Sequence, residues 1–234
     1  RRGARHDAPP VRTGRRRSRA ALQPRLLAQP HGARPQGTRR RKRARRFNET
    51  EAIAFAGSTT VPVLVDGDAV VADSWRIAEY LERAYPDRPA LFGGAQAELR
   101  FLAAWTDTVL NPAILRFILL DVFALLRPSE QPYFRASRER RFGMALEAVV
   151  ADREARLPGF RALIGPLRVT LRAQPFLAGN APAYADHIVF GSFQWARCTS
   201  PFPLLKPDDP VALWRGRMLD LHGGLARRAP GHPC

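Results

Sequence analysis

A short stretch of alternating apolar residues stands out near position 61. Valines recur at every second position from Val61 to Val65 and alternate with Pro62 and Leu64. This run predicts a strand that is buried on both faces. The Asp-Gly pair that follows is a strong signal for a two-residue hairpin turn. We therefore expect a β-hairpin whose second strand covers residues 69–71.

The hairpin is followed by a helix-start signal. Asp73 and Ser74 are residue types favoured at helix N-termini, and apolar residues then recur at helical spacing from Ile77 to Tyr85. A linker rich in proline and glycine comes next, at residues 86–94, and proline cannot continue a helix. The pattern predicts one amphipathic helix capped by Asp73 or Ser74.

Beyond the linker, apolar positions follow a helical period throughout. The predicted helices cover about residues 95–126, 132–157, 159–173, 183–198 and 209–228. We expect Pro112 to kink the first of them. The most apolar run, Ala113 to Leu126, contains Arg116 and Asp121 and is too short to span a bilayer. It predicts a buried helix and no membrane partner.

The basic charge of the chain is concentrated in residues 1–46. This segment holds 16 arginines, one lysine and one aspartate, and so accounts for +16 of the net charge of +17. It has no aromatic residue and no isoleucine, so it cannot bury enough apolar surface to offset the entropy of folding. We expect disorder. Without aromatic residues among the arginines or a recognition motif, non-specific attraction to nucleic acid is expected rather than specific binding.

Cysteine usage indicates a reducing compartment. The chain has two cysteines, Cys198 and Cys234, too few for a disulfide framework, and shows no metal-ligand spacing of Cys and His. We therefore expect a cytoplasmic protein without a metal.

Several elements at fixed spacing resemble the glutathione S-transferase superfamily. In the first part of the chain they are Val61-Pro62, Leu64, Asp73-Ser74, Ile77 and Tyr80-Leu81, with Tyr85-Pro86 and Leu91-Phe92-Gly93 resembling the linker of bacterial members. In the second part, Phe176 to Gly179 and Ala183 to Asp186 resemble the family's buried, Asp-capped helix. The resemblance covers about residues 47–230.

The resemblance implies an α+β, mostly α, architecture. An incomplete thioredoxin-like domain at 47–85 is expected to precede the linker at 86–94 and an all-helical bundle domain at 95–230. Family members are commonly homodimers, with an interface on the helix from residue 74 and the first helices of the second domain.

Two departures from the family pattern matter. Ala183 replaces the Ser or Thr that usually opens the buried helix, a loss of roughly 1 kcal/mol. The first strand and helix, which carry the Ser, Cys or Tyr that activates the glutathione thiol, have no counterpart upstream of residue 47. The catalytic residue is therefore not identified. The Arg, Ala, Pro and Gly content of residues 1–46 is that of a GC-rich gene translated in a wrong frame, and we hypothesise a frameshift or misassigned start there.

Four residues are candidate glutathione ligands by resemblance. A cis peptide bond before Pro62 would turn the Val61 N–H and C=O towards the backbone of glutathione, and the alternative is a trans proline on an edge strand. Ser74 would bind the γ-glutamyl carboxylate at the helix start, and Asp73 would pair with the ammonium group. Helix capping alone is the alternative for both.

The implied function is a glutathione transferase that uses glutathione as co-substrate. Its thiolate would attack a small apolar electrophile. A glutathione-dependent etherase or reductase is one alternative. A non-catalytic glutathione-binding or structural protein is another, and a nucleic-acid-binding protein using the basic segment is the third. Whether the chain is an enzyme stays open at this point.

Overall fold

A β-hairpin and a set of helices make up the part of the chain that a computed structural model describes, residues 51–233. The predictions for residues 1–46 lie outside the described residues. The elements are a 3₁₀ turn at Glu51–Ala56, strands β1 (Val63–Asp66) and β2 (Ala69–Ala72), and helices α1 (Ser74–Ala84), α2 (Gln96–Trp105), α3 (Asn111–Leu125), α4 (Gln131–Phe142), α5 (Leu146–Val150), α6 (Arg153–Leu163), α7 (Gly165–Ala173), α8 (Tyr184–Thr199) and α9 (Pro210–Gly224).

The predicted hairpin forms, with its turn one residue later than expected. β1 and β2 pair antiparallel and Asp66 pairs with Ala69, so Gly67, at φ 57°, and Asp68 make the turn. The prediction that β1 is buried on both faces is wrong, because the side chain of its central residue Val65 is 56% exposed. Its cross-strand partner Val70 is 44% exposed as well, so one face of the two-stranded sheet in residues 51–233 is uncovered.

Two sets of hydrogen bonds tie the hairpin to α1. At the turn, the hydroxyls of Tyr80 and Tyr85 donate to the same Asp66 Oδ2 over 3.1 and 2.5 Å. At the base, the Asp73 N–H donates to the Pro62 carbonyl over 3.1 Å. The hairpin is therefore anchored to both ends of α1.

The first long helix departs from α geometry before Pro112. A π-helical turn at Thr106–Leu110 joins α2 to α3, and the Asn111 N–H bonds to the carbonyl of Thr106, five residues back. Proline cannot donate to the carbonyl four residues before it, so the regular hydrogen-bond ladder must change here. The irregularity that we assigned to Pro112 thus takes the form of a wider turn just upstream.

The α3 part of the helical run 96–125 lies in the main core, whereas most residues of α2 are exposed or half-buried. By length and composition alone the whole run could cross a membrane. Its residues Leu110, Ile114, Ile118 and Leu119 are fully buried, and α3 packs against α8. Core helices of soluble proteins pass the same length and composition test, and the prediction of a buried helix is confirmed.

The later helices are shorter than their apolar patterns predicted. The helix expected over 132–157 is three helices, α4, α5 and the first part of α6. Gly143 ends α4 in the left-handed conformation, at φ 67°, where a glycine is favoured because it has no Cβ. Likewise α9 is interrupted at residues 221–223 by non-helical backbone. Hydrophobic periodicity continued through these breaks because the helices on both sides face one core.

Candidate functional site

The structure brings the four predicted site residues into one patch. The Val61–Pro62 peptide bond is cis, as expected, and the Pro62 carbonyl accepts the Asp73 N–H over 3.1 Å. Ser74 follows as the first residue of α1. The start of the hairpin and the start of the helix are therefore direct neighbours.

Asp73 caps α1. Its Oδ1 accepts hydrogen bonds from the backbone N–H groups of Trp75 and Arg76, over 3.0 and 3.2 Å. Its φ of 80° is unusual for a residue with a side chain, although Asp tolerates it better than most. The capping interpretation of Asp73 is confirmed. Within residues 51–233, no hydrogen bond is made to its second oxygen, Oδ2.

Ser74 offers two hydrogen-bond donors at the N-terminus of α1. Its side chain is half-buried, and neither its hydroxyl nor its backbone N–H bonds to another described residue. The first N–H groups of a helix have no partner within the helix, and the helix dipole favours negative charge there. In an 11-residue helix such as α1, this end is suited to a carboxylate or phosphate.

The backbone of Val61 is also available. Val61 precedes β1, is half-buried, and forms no hydrogen bond to another described residue through its N–H or C=O. Such a pair of groups can add an extended peptide as a short antiparallel strand.

Helix α2 of the second domain contacts this region through Trp75. The guanidinium carbon of Arg100 lies 4.3 Å from the centre of the Trp75 ring. The Trp75 Nε1 donates to Glu79 Oε1 over 2.6 Å, and Gln96 Nε2 donates to the same oxygen over 3.0 Å. Arg100 makes no ion pair within the described part of the chain, so its charge is not neutralised by a direct partner there.

Helix α8 contributes Tyr184, which sequence reasoning did not select as a site residue. Its hydroxyl donates to the Ser74 carbonyl over 3.2 Å. Burial raises the pKa of Tyr184 well above its usual range, and the negative charges of Asp73 and Asp107 add to the effect. Tyr184 is 110 positions from Ser74, so no local pattern could have signalled the contact.

Several aromatic residues and one cysteine lie outside this patch and are mostly structural. Cys198 and Trp195 are buried on α8, and Phe117 packs against Phe160 in the core. Tyr133 is largely exposed. The described residues contain no group of three or more metal-ligating side chains.

Comparison with known families identifies the two parts of the chain. A family model for the glutathione S-transferase N-terminal domain matches residues 18–84, and one for the C-terminal domain matches residues 98–202. This chain belongs to the glutathione S-transferase superfamily. The N-terminal match begins inside the basic segment, so the family likeness extends further upstream than residue 47, where we placed its start.

Solved glutathione transferases support the same fold. GSTFuA3 of Phanerochaete chrysosporium is 27% identical with a TM-score of 0.62, and the match covers 86% of this chain and 82% of that one. CsGST83044 of Ceriporiopsis subvermispora, crystallised with glutathione, is 26% identical with a TM-score of 0.51 and coverage of 73% and 69%. A glutathione S-transferase of Rhodospirillum rubrum F11 is 26% identical with a TM-score of 0.51, and the match covers 74% of this chain and 72% of that one. The predicted fold class, thioredoxin-like followed by all-helical, is confirmed.

Proposed function

We propose that this glutathione S-transferase family member binds glutathione at the start of α1. The observation that carries the proposal is the pair of donors on Ser74, its hydroxyl and its N–H, which no described residue uses. The γ-glutamyl carboxylate of glutathione would accept both, and the unused Oδ2 of Asp73 would pair with the ammonium group. The relative from Ceriporiopsis subvermispora, crystallised with glutathione, supports this ligand.

We further propose that Val61 holds the middle of the tripeptide. Its N–H and C=O would pair with the cysteinyl backbone of glutathione in the manner of an added strand. The thiol of the bound tripeptide would then be the group that attacks an apolar electrophile. We assign no thiol-activating residue, because the place where family members carry it falls upstream of residue 47, outside the described residues.

The binding proposal is tested by calorimetric titration of reduced glutathione into the full chain and into Ser74→Ala. Because hydrogen bonds to charged groups contribute about 1.5–3 kcal/mol, we expect the variant to bind at least about tenfold more weakly. Ser137→Ala makes the same chemical change on α4, away from the patch, and should leave the affinity unchanged. A folded wild-type chain that releases no heat with glutathione would overturn the proposal.

A second measurement separates transfer from binding alone. The proposed transferase should conjugate glutathione to an aryl halide, with loss of halide and formation of a thioether. Glutathione binding without conjugation would instead support the non-catalytic alternative. Cleavage of an aryl ether by glutathione would support the etherase alternative.

We also propose a cytoplasmic homodimer. Phe101, on α2, exposes 75% of its surface, and α2 is among the helices on which family dimers are expected to meet. Aromatic residues are enriched at protein interfaces relative to the rest of the surface. Sedimentation of the full chain, compared with Phe101→Glu, tests the proposal: the wild type should sediment as a dimer and the variant as a monomer.

A further inference from the structure

Tyr184 reaches from the helical domain to the first turn of α1. It is the first residue of α8, its side chain is 3% exposed, and its hydroxyl donates to the Ser74 carbonyl over 3.2 Å. A buried hydroxyl is normally paired because an unpaired one carries a desolvation cost. Here the acceptor belongs to the residue that we propose as the carboxylate anchor.

The ring of Tyr184 is held in place by other aromatic side chains. It contacts Phe92 edge-on at 5.3 Å and Trp75 edge-on at 5.9 Å, measured between ring centroids. Its own backbone N–H bonds to the Leu91 carbonyl over 3.3 Å. The hydroxyl position is therefore set by packing across the interface of the two domains, in the cluster that also includes Ala78 and Ile188.

One peptide group connects the hydrogen bond from Tyr184 to the carboxylate of Asp73. The Ser74 carbonyl and the Trp75 N–H belong to one peptide group, and that N–H donates to Asp73 Oδ1 over 3.0 Å. A donor on the carbonyl side of a peptide group polarises the group and strengthens donation by its N–H. The four groups form a continuous hydrogen-bond chain from the second domain to Asp73.

The hydroxyl of Tyr184 is protonated, as its place in the hydrogen-bond chain requires. Burial and the charges of Asp73 and Asp107 raise the pKa of its hydroxyl, so at neutral pH it is a donor. Arg100, whose charge acts in the opposite direction, does not reverse the shift.

We propose that Tyr184 is a positioning residue of the glutathione site, which orients the Asp73 carboxylate through the Ser74–Trp75 peptide group. The proposal rests on the proposed binding of glutathione at the start of α1. It makes α8 part of the binding unit although Tyr184 itself does not touch the ligand.

The first test is the affinity of Tyr184→Phe for reduced glutathione, measured by calorimetry on the full chain. This variant removes the hydroxyl and keeps the ring, so we expect the dissociation constant to rise three- to tenfold. Thr199→Val is the matched control: Thr199 lies on the same helix, and its buried hydroxyl donates to the Trp195 carbonyl over 2.8 Å. The control should lose a similar hydrogen bond without a change in affinity.

A double-mutant cycle distinguishes positioning from packing. In an Asp73→Asn background the charge to be oriented is gone, while Asn still supplies a capping oxygen and tolerates the positive φ. If Tyr184 acts through Asp73, the effect of Tyr184→Phe should fall below twofold in that background. An equal loss in both backgrounds, or no loss in either, would overturn the inference.

A ligand-free measurement keeps the inference separate from the proposed function. Tyr184→Phe should shift the amide proton of Trp75 upfield and speed its exchange with solvent, whereas Thr199→Val should not. The wild-type chain could bind no glutathione while Tyr184→Phe still changed the Trp75 amide proton in this way. That result would refute the proposed function and leave the hydrogen-bond chain supported. An unchanged Trp75 amide would refute the inference, whatever the affinity.

Discussion

The indole N–H of Trp214 donates a 2.8 Å hydrogen bond to Oδ1 of Asp186, and both side chains are inaccessible to solvent. The same carboxylate accepts the backbone N–H groups of Leu177, Ala178 and Ala183 over 2.7–3.2 Å. A buried carboxylate with four donors is well compensated, and its removal would leave those donors unpaired. Asp186 therefore links α9 to the segment that precedes α8.

Asp186→Asn should therefore destabilise the fold. The amide group of Asn presents its own donors to at least one of the N–H groups that Asp186 accepts. We expect the free energy of unfolding to fall by about 2–3 kcal/mol, measured by urea denaturation. Asp208→Asn, at an exposed turn position, is the control and should change it by less than about 0.5 kcal/mol. Equal stability of the two variants would contradict the role given to Asp186.

The stability of the chain should fall in mildly acidic solution because of His187. Burial lowers the pKa of His187 from 6.5 to about 4, and the neighbouring His222 adds to the shift. The unfolded state thus takes up a proton at higher pH than the folded state. The stability contributed by neutral His187 is complete above pH 6.5 and is lost as the pH falls towards 4. The full shift is worth about 3 kcal/mol.

Urea denaturation of the wild type and of His187→Gln between pH 7.5 and 4.5 measures this effect. The variant cannot take up the proton, so its stability should decline less steeply over this range. Burial also lowers the pKa of His222, which leaves some slope in the variant. Two parallel pH profiles would show that His187 does not contribute.

The exposed carboxylate of Glu147 should titrate unusually low. Hydrogen bonds from Arg135, at 2.8 and 3.0 Å, lower the pKa of Glu147 from 4.5 to about 2. Its stabilising contribution is complete above pH 4.5 and disappears as the pH falls through about 2. In Arg135→Gln, NMR titration of the Glu147 carboxyl carbon should give a midpoint near 4.5.

Arg140→Gln is the control for charge alone. Arg140 is an exposed residue of the same helix, and it makes no ion pair within the described part of the chain. Its removal should leave the midpoint of Glu147 within a few tenths of the wild-type value, because exposed charges without contact are screened by salt. Equal shifts in the two variants would exclude a specific effect of Arg135.

Two glycines should respond oppositely to the same substitution. Gly143 ends α4 at φ 67°, so Gly143→Ala should lower the free energy of unfolding by about 1 kcal/mol. Gly159 lies inside α6 and an added Cβ would meet no atom within 4 Å, so Gly159→Ala should raise it by about 0.5–1 kcal/mol. Thermal and urea denaturation of both variants check the signs.

Local chemistry in the sequence predicted the half of the patch that lies in the first domain. The alternating valines, the glycine turn and the Asp-Ser pair act over a few residues, and the hairpin and the capped helix form where they indicate. Exposure of Val65 was not predictable from its pattern, since burial depends on what covers the strand. The contact of Tyr184 with Ser74 joins distant segments, and such contacts leave no periodic trace in one sequence.

Helix breaks were the other failure of sequence reasoning. Periodicity from 132 to 157 predicted one helix because apolar residues on α4, α5 and α6 all face the core formed with α3. Gly143 carried the missing signal, and it was overlooked inside a pattern of otherwise good helix formers. At Pro112 the proline was recognised, but the π-helical turn through which the chain accommodates it depends on neighbouring helices.

Asp66 receives both tyrosine hydroxyls at the far end of the hairpin, while Pro62 is bonded to Asp73 at the near end. Fastened at two points, the hairpin has no freedom to swing away from α1. If glutathione binds as proposed, the backbone that meets it at Val61 is therefore tied to α1 through both ends of the hairpin. Under that proposal, a new preference for a second substrate would have to arise from residues outside this hairpin.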